Sequence, residues 1–245
     1  MATYARFARH YDELMGDVTG GPGDPLANAA RVAGYLSRHL PTAGSLLELG
    51  CGSGTILAGL GRPLALTGID RSPQMLARAR AKVPTARLLE GDIARFELGE
   101  RFDAVICVFD TLNHLERVDH WRALFERVAR HLRHGGLFAF DVNTVGQLRR
   151  LAQAPPWSRA LEDATLIQHV DWAGDGRVVW HVRIEERRPD GGQASHHERI
   201  GELAVPLATI AAALDGEFEL IERSDGEGAE PLDSSPRAYY AYRRR

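Results

Sequence analysis

Glu48 stands two residues ahead of Gly50, Gly52 and Gly54, three glycines at alternate positions, and Asp70 follows twenty positions after the first of them. Glycines so spaced let a backbone turn tightly and approach a bound molecule with no Cβ in the way. Dinucleotide loops share this spacing, but a carboxylate at Glu48 would repel the pyrophosphate that a dinucleotide brings to a helix N-terminus. It suits a ligand carrying positive charge there, such as an ammonium or a sulfonium. Asp70 is spaced to reach the two hydroxyls of a ribose, although an Asp just before Ser72-Pro73 also fits a helix cap. His114 adds a group that titrates near neutrality. In His196-His197-Glu198, strand alternation puts His196 and Glu198 on one face and His197 on the other, so at most one side looks into a pocket, and all three fit an exposed edge hairpin equally well.

The elements that must position these residues follow from the apolar pattern. Leu46, Leu47 and Leu49 suit a buried parallel strand and a helix opens at Thr55, so the glycine loop lies at the carboxyl end of a first strand, where open α/β sheets bind ligands. A second strand, 64–69, ends at Asp70, and a helix runs from Pro73 through Lys82. A third strand, 86–89, leads into Gly91-Asp92-Ile93. The nearly all-apolar run 102–109 is a central fourth strand, followed by Asp110-Thr111-Leu112-Asn113-His114. A helix over 119–133 is ended by Gly135-Gly136, and a fifth strand covers 137–141. Upstream, an aromatic segment, 4–15, is separated by a glycine- and proline-rich break, 16–25, from a helix over 26–39.

Residues 155–206 change character, with strand-like runs 165–172, 177–187 and 194–205 divided by Gly174-Asp175-Gly176 and Pro189-Asp190-Gly191-Gly192. They read as a three-stranded antiparallel insertion lying over the site as a lid. A helix over 207–214 and strands over 218–223 and 238–242 complete the sheet. The fold class is α/β: a Rossmann-like, seven-stranded, doubly wound sheet, mostly parallel with its last strand antiparallel. Its parts are a flap and helix (1–40), a ligand-binding core (41–154), the insertion (155–206) and a C-terminal completion (207–245).

Glu48 with its glycines, then Asp70, then Gly91-Asp92-Ile93 resemble in order the motifs of class I S-adenosylmethionine-dependent methyltransferases, across roughly 43–143. The resemblance implies S-adenosylmethionine as cofactor and S-adenosylhomocysteine as product. It implies that Glu48, Gly50, Cys51, Gly52 and Gly54 meet the methionine part, with the Val108 backbone near its ammonium. Asp70 and Arg71 would hold the ribose end, Met75 would lie beside the adenine, and Gly91, Asp92 and Ile93 would line its edge. Tyr11-Asp12-Glu13-Leu14-Met15 is similar to the Y-D-x-[LI]-[YM] flap of small-molecule enzymes of this type, which closes Tyr11 over the cofactor. Phe109-Asp110-Thr111-Leu112-Asn113-His114-Leu115 is similar to the F-S-S-I-G-H-L segment of aminosugar N-methyltransferases, which makes His114, with Tyr11, the catalytic pair. Asp110, Asn113 and Met15 depart from those enzymes. Plain packing is an alternative for Tyr4, Phe7, Tyr11, Met15 and Met75, and an orienting role for His114.

Asp110, Asp141 and Asn143 are also similar to the magnesium ligands of catechol O-methyltransferases, but Val142 separates the last two, and no metal is expected. A net charge of −3 offers no polycationic surface for nucleic acid, and Arg243-Arg244-Arg245 is a solvated tail. The D/N-P-P-Y/W motif of amino-directed DNA enzymes is missing. No secretory signal or membrane-length apolar run occurs, which predicts a cytoplasmic protein. Cys51 and Cys107 have no disulfide or metal spacing. The expected activity is methyl transfer to a small-molecule acceptor, an amine before a hydroxyl, by a monomer or homodimer. An O-methyltransferase of a secondary metabolite and a noncatalytic cofactor-binding partner subunit are the alternatives.

Overall fold

Burial of the central strands on both faces decides the architecture. The computed structural model describes residues 8–16, 24–187 and 192–245; Tyr4, Phe7, the Met15 side chain and most of the 16–25 break lie outside the described residues. In β1 (Ser45–Leu49), β4 (Phe102–Cys107) and β5 (Leu132–Asn143), the side chains of Leu46, Ala104, Ile106, Leu137 and Ala139 enter one apolar layer. Those of Leu47, Leu49, Val105, Cys107, Phe138 and Phe140 enter the other. Strands buried on both faces need helices on both. After α1 (Ala8–Gly16), helices α2 (Pro25–His39), α3 (Thr55–Gly59) and α4 (Pro73–Lys82) close the first layer, and α5 (Val118–His131) and α7 (Leu207–Leu214) close the second.

With β2 (Ala65–Asp70), β3 (Arg87–Glu90), β10 (Phe218–Ser224) and β11 (Arg237–Arg244), the sheet runs β10-β11-β5-β4-β1-β2-β3, parallel except for β11. The chain leaves β1 for β2 and β3 on one side and returns to β4 and β5 on the other. That reversal opens a crevice at the carboxyl ends of β1 and β4. The Rossmann-like, doubly wound sheet expected from the sequence is therefore present.

Several local expectations are corrected. The fourth strand stops at Cys107, two residues early, because Phe109 and Asp110 adopt positive φ (63° and 48°). The fifth helix ends at His131 and the chain enters β5 directly at Leu132, so Gly135-Gly136 lies within the strand and does not cap the helix. The insertion has four strands where three were expected: β6 (Trp157–Ala160), β7 (Ala164–Gly174), β8 (Arg177–Arg187) and β9 (Gln193–Leu203), paired antiparallel in that order. β6 was missed because its four residues alternate no apolar face; Trp157 is exposed. Helix α6 (Val145–Gln153) was missed too, although Thr144 caps it by accepting the Gln147 amide (3.1 Å). Its Leu148 packs with Val170, Val178 and Ala204, joining the second sheet to the core.

The inner face of the second sheet closes over α1. Leu14 packs with Leu161, Ala164, Leu166, Val182, Ile184 and Ile200, with Tyr11 and Trp180 at the edge of the cluster. Arg159 Nη1 donates to the Leu14 carbonyl (3.0 Å), and the Glu162 amide donates to Glu13 Oε1 (2.7 Å). No helix among the described residues is long and apolar enough to cross a membrane. Leu166 is fully buried in this cluster, so Leu166→Ala should lower stability by about 2–5 kcal/mol in urea unfolding. A change within about 0.5 kcal/mol, the range of surface substitutions, would contradict the packing of the second sheet onto α1.

Candidate active site

The glycine loop is shaped by what lies against it. Gly50 (φ 73°) turns the chain out of β1, and its amide and that of Cys51 both donate to the Ile69 carbonyl (2.8 and 2.9 Å). A Cβ at Gly50 would collide with the Thr111 side chain; one at Gly54 (φ 77°) would lie 3.1 Å from Ala79 Cβ and 3.2 Å from its Cα. Asp70, at the end of β2, fastens the loop: Oδ2 accepts the Gly52 amide (2.9 Å) and Oδ1 the Ser72 amide (2.8 Å). Burial pushes its carboxyl above the ordinary range despite these two bonds.

Beside the loop lie two adjoining hollows. The larger is lined by Tyr11, Gly50, Gly52, Asp70, Arg71, Met75, Gly91, Asp92, Ile93, Phe109, Thr111, His114 and Leu115. The smaller is walled by Tyr11, Glu48, Gly50, Cys51, Gly52, Ser53 and Val108, among others. The fold thus brings to one cleft every residue that the resemblance assigns to cofactor or catalysis, except Gly54, which is packed on α4 behind the loop. Asp92 stands at the rim with Oδ1 accepting the Ala94 amide (2.9 Å). Met75 is buried under Gly52. The Val108 carbonyl already accepts the Thr111 hydroxyl (2.7 Å).

Glu48 is the electrostatic oddity of the smaller hollow. It is 2 % exposed, and its Oε2 has no hydrogen-bond partner. Burial, reinforced by Asp70, holds its carboxyl well above the ordinary range. A buried carboxylate left unpaired is costly, so a cation arriving here would find its partner waiting.

Tyr11 overhangs both hollows because Asp12 latches α1 to the core. Asp12 Oδ1 accepts from Ser53 Oγ (2.6 Å) and Lys82 Nζ (3.0 Å), while Oδ2 accepts from Arg78 Nε (3.0 Å) and Nη2 (2.9 Å). Burial opposes the charge, but the bonds to Ser53, Lys82 and Arg78 outweigh it and hold the Asp12 carboxyl below its ordinary value. Burial, with Asp110 and Asp70 nearby, pushes Tyr11 up, so it remains a neutral phenol.

At the other wall, Asp141 accepts the amides of Phe109 (3.1 Å) and Asp110 (2.6 Å), fixing the strained turn after β4. Arg237 lies beside it. Its Nη1 donates to Asp141 Oδ1 (3.0 Å) and its Nη2 to Asp110 Oδ1 (2.8 Å) and Asn143 Oδ1 (3.1 Å). The three oxygen-bearing residues likened to magnesium ligands therefore converge on a guanidinium. Burial works against the charge on Arg237, but Asp141 and Asp110 outweigh it and keep it protonated.

Glu202 of β9 completes the group; it is 2 % exposed, its Oε2 has no partner, and burial, then Asp110, drives its carboxyl well up. Ligating atoms of Asp110, His114 and Glu202 all lie within 4.8 Å of one another. His114 ends a 3-10 turn, Thr111–His114, and its Nδ1 donates to the Gly201 carbonyl (3.3 Å). Burial holds this imidazole neutral, which leaves Nε2 as the nitrogen bearing the lone pair. Asn113 is a structural tie, donating to the Asn143 and Leu203 carbonyls (3.1 and 3.0 Å). His196 turns to Glu186 (3.5 Å) and His197 to the opposite face, against His181.

Arg237 and Glu202 were missed from the sequence, since a lone Arg before the last strand and a Glu in a hairpin carry no motif. Arg237→Gln would strand the buried Asp141 carboxylate together with the half-buried Asp110 and should cost about 3–5 kcal/mol in equilibrium unfolding. A variant as stable as the parent would mean that Asp110 and Asp141 do not depend on this cation.

Residues 46–136 match the family described as methyltransferase domain. A dTDP-3-amino-3,6-dideoxy-alpha-D-glucopyranose N,N-dimethyltransferase of Streptomyces fradiae is 38 % identical over 139 residues, covering 56 % of this chain and 54 % of that one. The chain thus spans about half the length of this curated relative. A phosphatidylethanolamine N-methyltransferase of Cereibacter sphaeroides is 33 % identical over 192 residues, 75 % of this chain and 86 % of that one. Among solved structures, an S-adenosylmethionine-dependent methyltransferase of Clostridium acetobutylicum superposes with a TM-score of 0.82 at 22 % identity, covering 98 % of each chain. With the glycine loop, the ordered acidic residues and the sheet topology in place, the chain belongs to the class I S-adenosylmethionine-dependent methyltransferases.

Proposed function

We propose that this protein N-methylates a small cationic amine, as a cytoplasmic monomer or homodimer. The observation that carries the choice of an amine is the gathering of acidic groups around His114: Asp141 and Glu202 are buried and Asp110 half-buried, with Arg237 paired to Asp110 and Asp141. An ammonium-bearing acceptor is attracted to such a wall, whereas a phenol or alcohol gains nothing from it. That the relatives from S. fradiae and C. sphaeroides are both named N-methyltransferases supports the same reading.

When bound, S-adenosylmethionine supplies a methyl group on a sulfonium, which departs as a neutral thioether. The unpartnered Glu48 fits the ammonium of its methionine part, Asp70 and Arg71 its ribose, and Asp92, Ile93 and Met75 its adenine. Tyr11 closes the cleft from α1 and helps exclude water. Much of the rate then comes from alignment of nucleophile and methyl. His114, neutral and oriented by Gly201, accepts a hydrogen bond or proton from the acceptor nitrogen through Nε2. Residues 155–206 form the lid in this reading, and the faces of β8 and β9 turned to α1 choose the acceptor.

The sign of Glu48 titration gives the first test. In the ligand-free protein its pKa is raised; pairing with an ammonium draws it down, so binding releases a proton and affinity rises with pH through the raised pKa. Titration calorimetry with S-adenosylhomocysteine in buffers of differing ionisation enthalpy should show that release, and Glu48→Gln should abolish it while weakening binding at least tenfold. Folded protein that binds neither this ligand nor S-adenosylmethionine would end the cofactor assignment. For the acceptor, a panel of dTDP-aminosugars, alkylamines and phenols should give turnover with amines, and His114→Ala should lower kcat about 10²-fold. Turnover of phenols alone would replace the amine reading with O-methylation, and ligand binding without turnover of any acceptor would favour a noncatalytic subunit.

A further inference from the structure

The face of the second sheet turned away from α1 carries an unassigned cluster. His169 of β7 pairs directly with His181 of β8, and Asp171, two residues along β7, shares their face. The two imidazole rings stack in parallel with centroids 4.5 Å apart. His181 Nε2 lies 3.1 Å and His169 Nε2 3.9 Å from Asp171 Oδ2. His197 of β9 stands on the same face, its ring 5.7 Å from that of His181. These side chains remain within reach of solvent: 43 % of His169, 61 % of Asp171 and 17 % of His181 is exposed.

We infer that His169, His181 and Asp171 form a surface site for a borderline divalent transition-metal ion of the zinc class, tying β7 to β8. Two imidazole nitrogens and one carboxylate oxygen are a ligand set that zinc accepts, with water or His197 in the fourth position. Ligand atoms on a tetrahedral zinc are about 3.4 Å apart, given bonds of about 2.0–2.1 Å. The His181 to Asp171 separation already suits that, and His169 must close by about 0.5 Å. Parallel rings direct their lone pairs side by side, so one imidazole must turn about χ2, a soft torsion for His.

The charge around the cluster is mixed. Arg199 pairs opposite His181, and Arg183 opposite His197; both oppose a cation, and Asp171 is the carboxylate that offsets them. The site faces away from the methyl-transfer cleft and does not depend on the reading of that cleft.

The test is a competition titration of the full chain with zinc against a chromophoric chelator at neutral pH. One equivalent should bind with micromolar affinity. His169→Ala and His181→Ala should each weaken it at least tenfold, and Asp171→Asn should weaken it with no change in shape or volume. His134→Ala, which alters an exposed histidine at the far end of β5, should leave it unchanged. No saturable binding, or a loss smaller than tenfold in the double variant H169A/H181A, would overturn the assignment.

Discussion

Everything around the His114 end of the cleft hangs on the Asp141 carboxylate. It takes two backbone amides from a turn whose residues, Phe109 and Asp110, hold a conformation that side chains resist. The turn leads into the 3-10 segment that carries Thr111 and His114 to the cleft. Arg237, reaching over from the antiparallel strand, makes a fully buried carboxylate tolerable by pairing it and Asp110 together. The C-terminal strand therefore does more than complete the sheet; its first residue stabilises the turn between β4 and the cleft.

A second dependence runs through α1. One face of this nine-residue helix is bonded to the core through Asp12, which reaches the glycine loop and α4, and another is packed into the second sheet through Leu14. His10 adds a contact from α1 to Glu186 of β8 (3.2 Å). A short helix has little stability of its own, so its order depends on both partners. Tyr11 sits between them, and the helix, the loop and the second sheet close the cleft as one unit.

The cleft gathers acidic groups at two places, Glu48 below the glycine loop and the Asp110–Glu202 pair beside His114. Each place holds a buried carboxyl oxygen without a hydrogen-bond partner, Glu48 Oε2 and Glu202 Oε2. Such groups oppose folding and are retained where a ligand compensates them. In the proposed reading the first centre faces the ammonium of the cofactor's methionine part and the second an amine acceptor.

How much of this could be read from the chain follows from the range of the interactions. The glycine loop, Asp70, the Gly91-Asp92-Ile93 corner and the burial of the central strands are set by residues close in sequence, through backbone conformation, strand period and the order of strand and helix. The sequence by itself therefore determined the sheet and the glycine-loop crevice at its carboxyl edge. It did not reveal β6, which has no apolar alternation, nor where β4 would stop, because left-handed conformations at Phe109 and Asp110 run against local preference and are held by Asp141 from a neighbouring strand. Arg237 meets Asp141 across 96 positions and Asp110 across 127. Only the tertiary structure decided that this guanidinium faces the acidic oxygens, and that Glu202 stands beside His114, because such pairings are fixed by strand order and register across the sheets and leave no periodic trace in the chain.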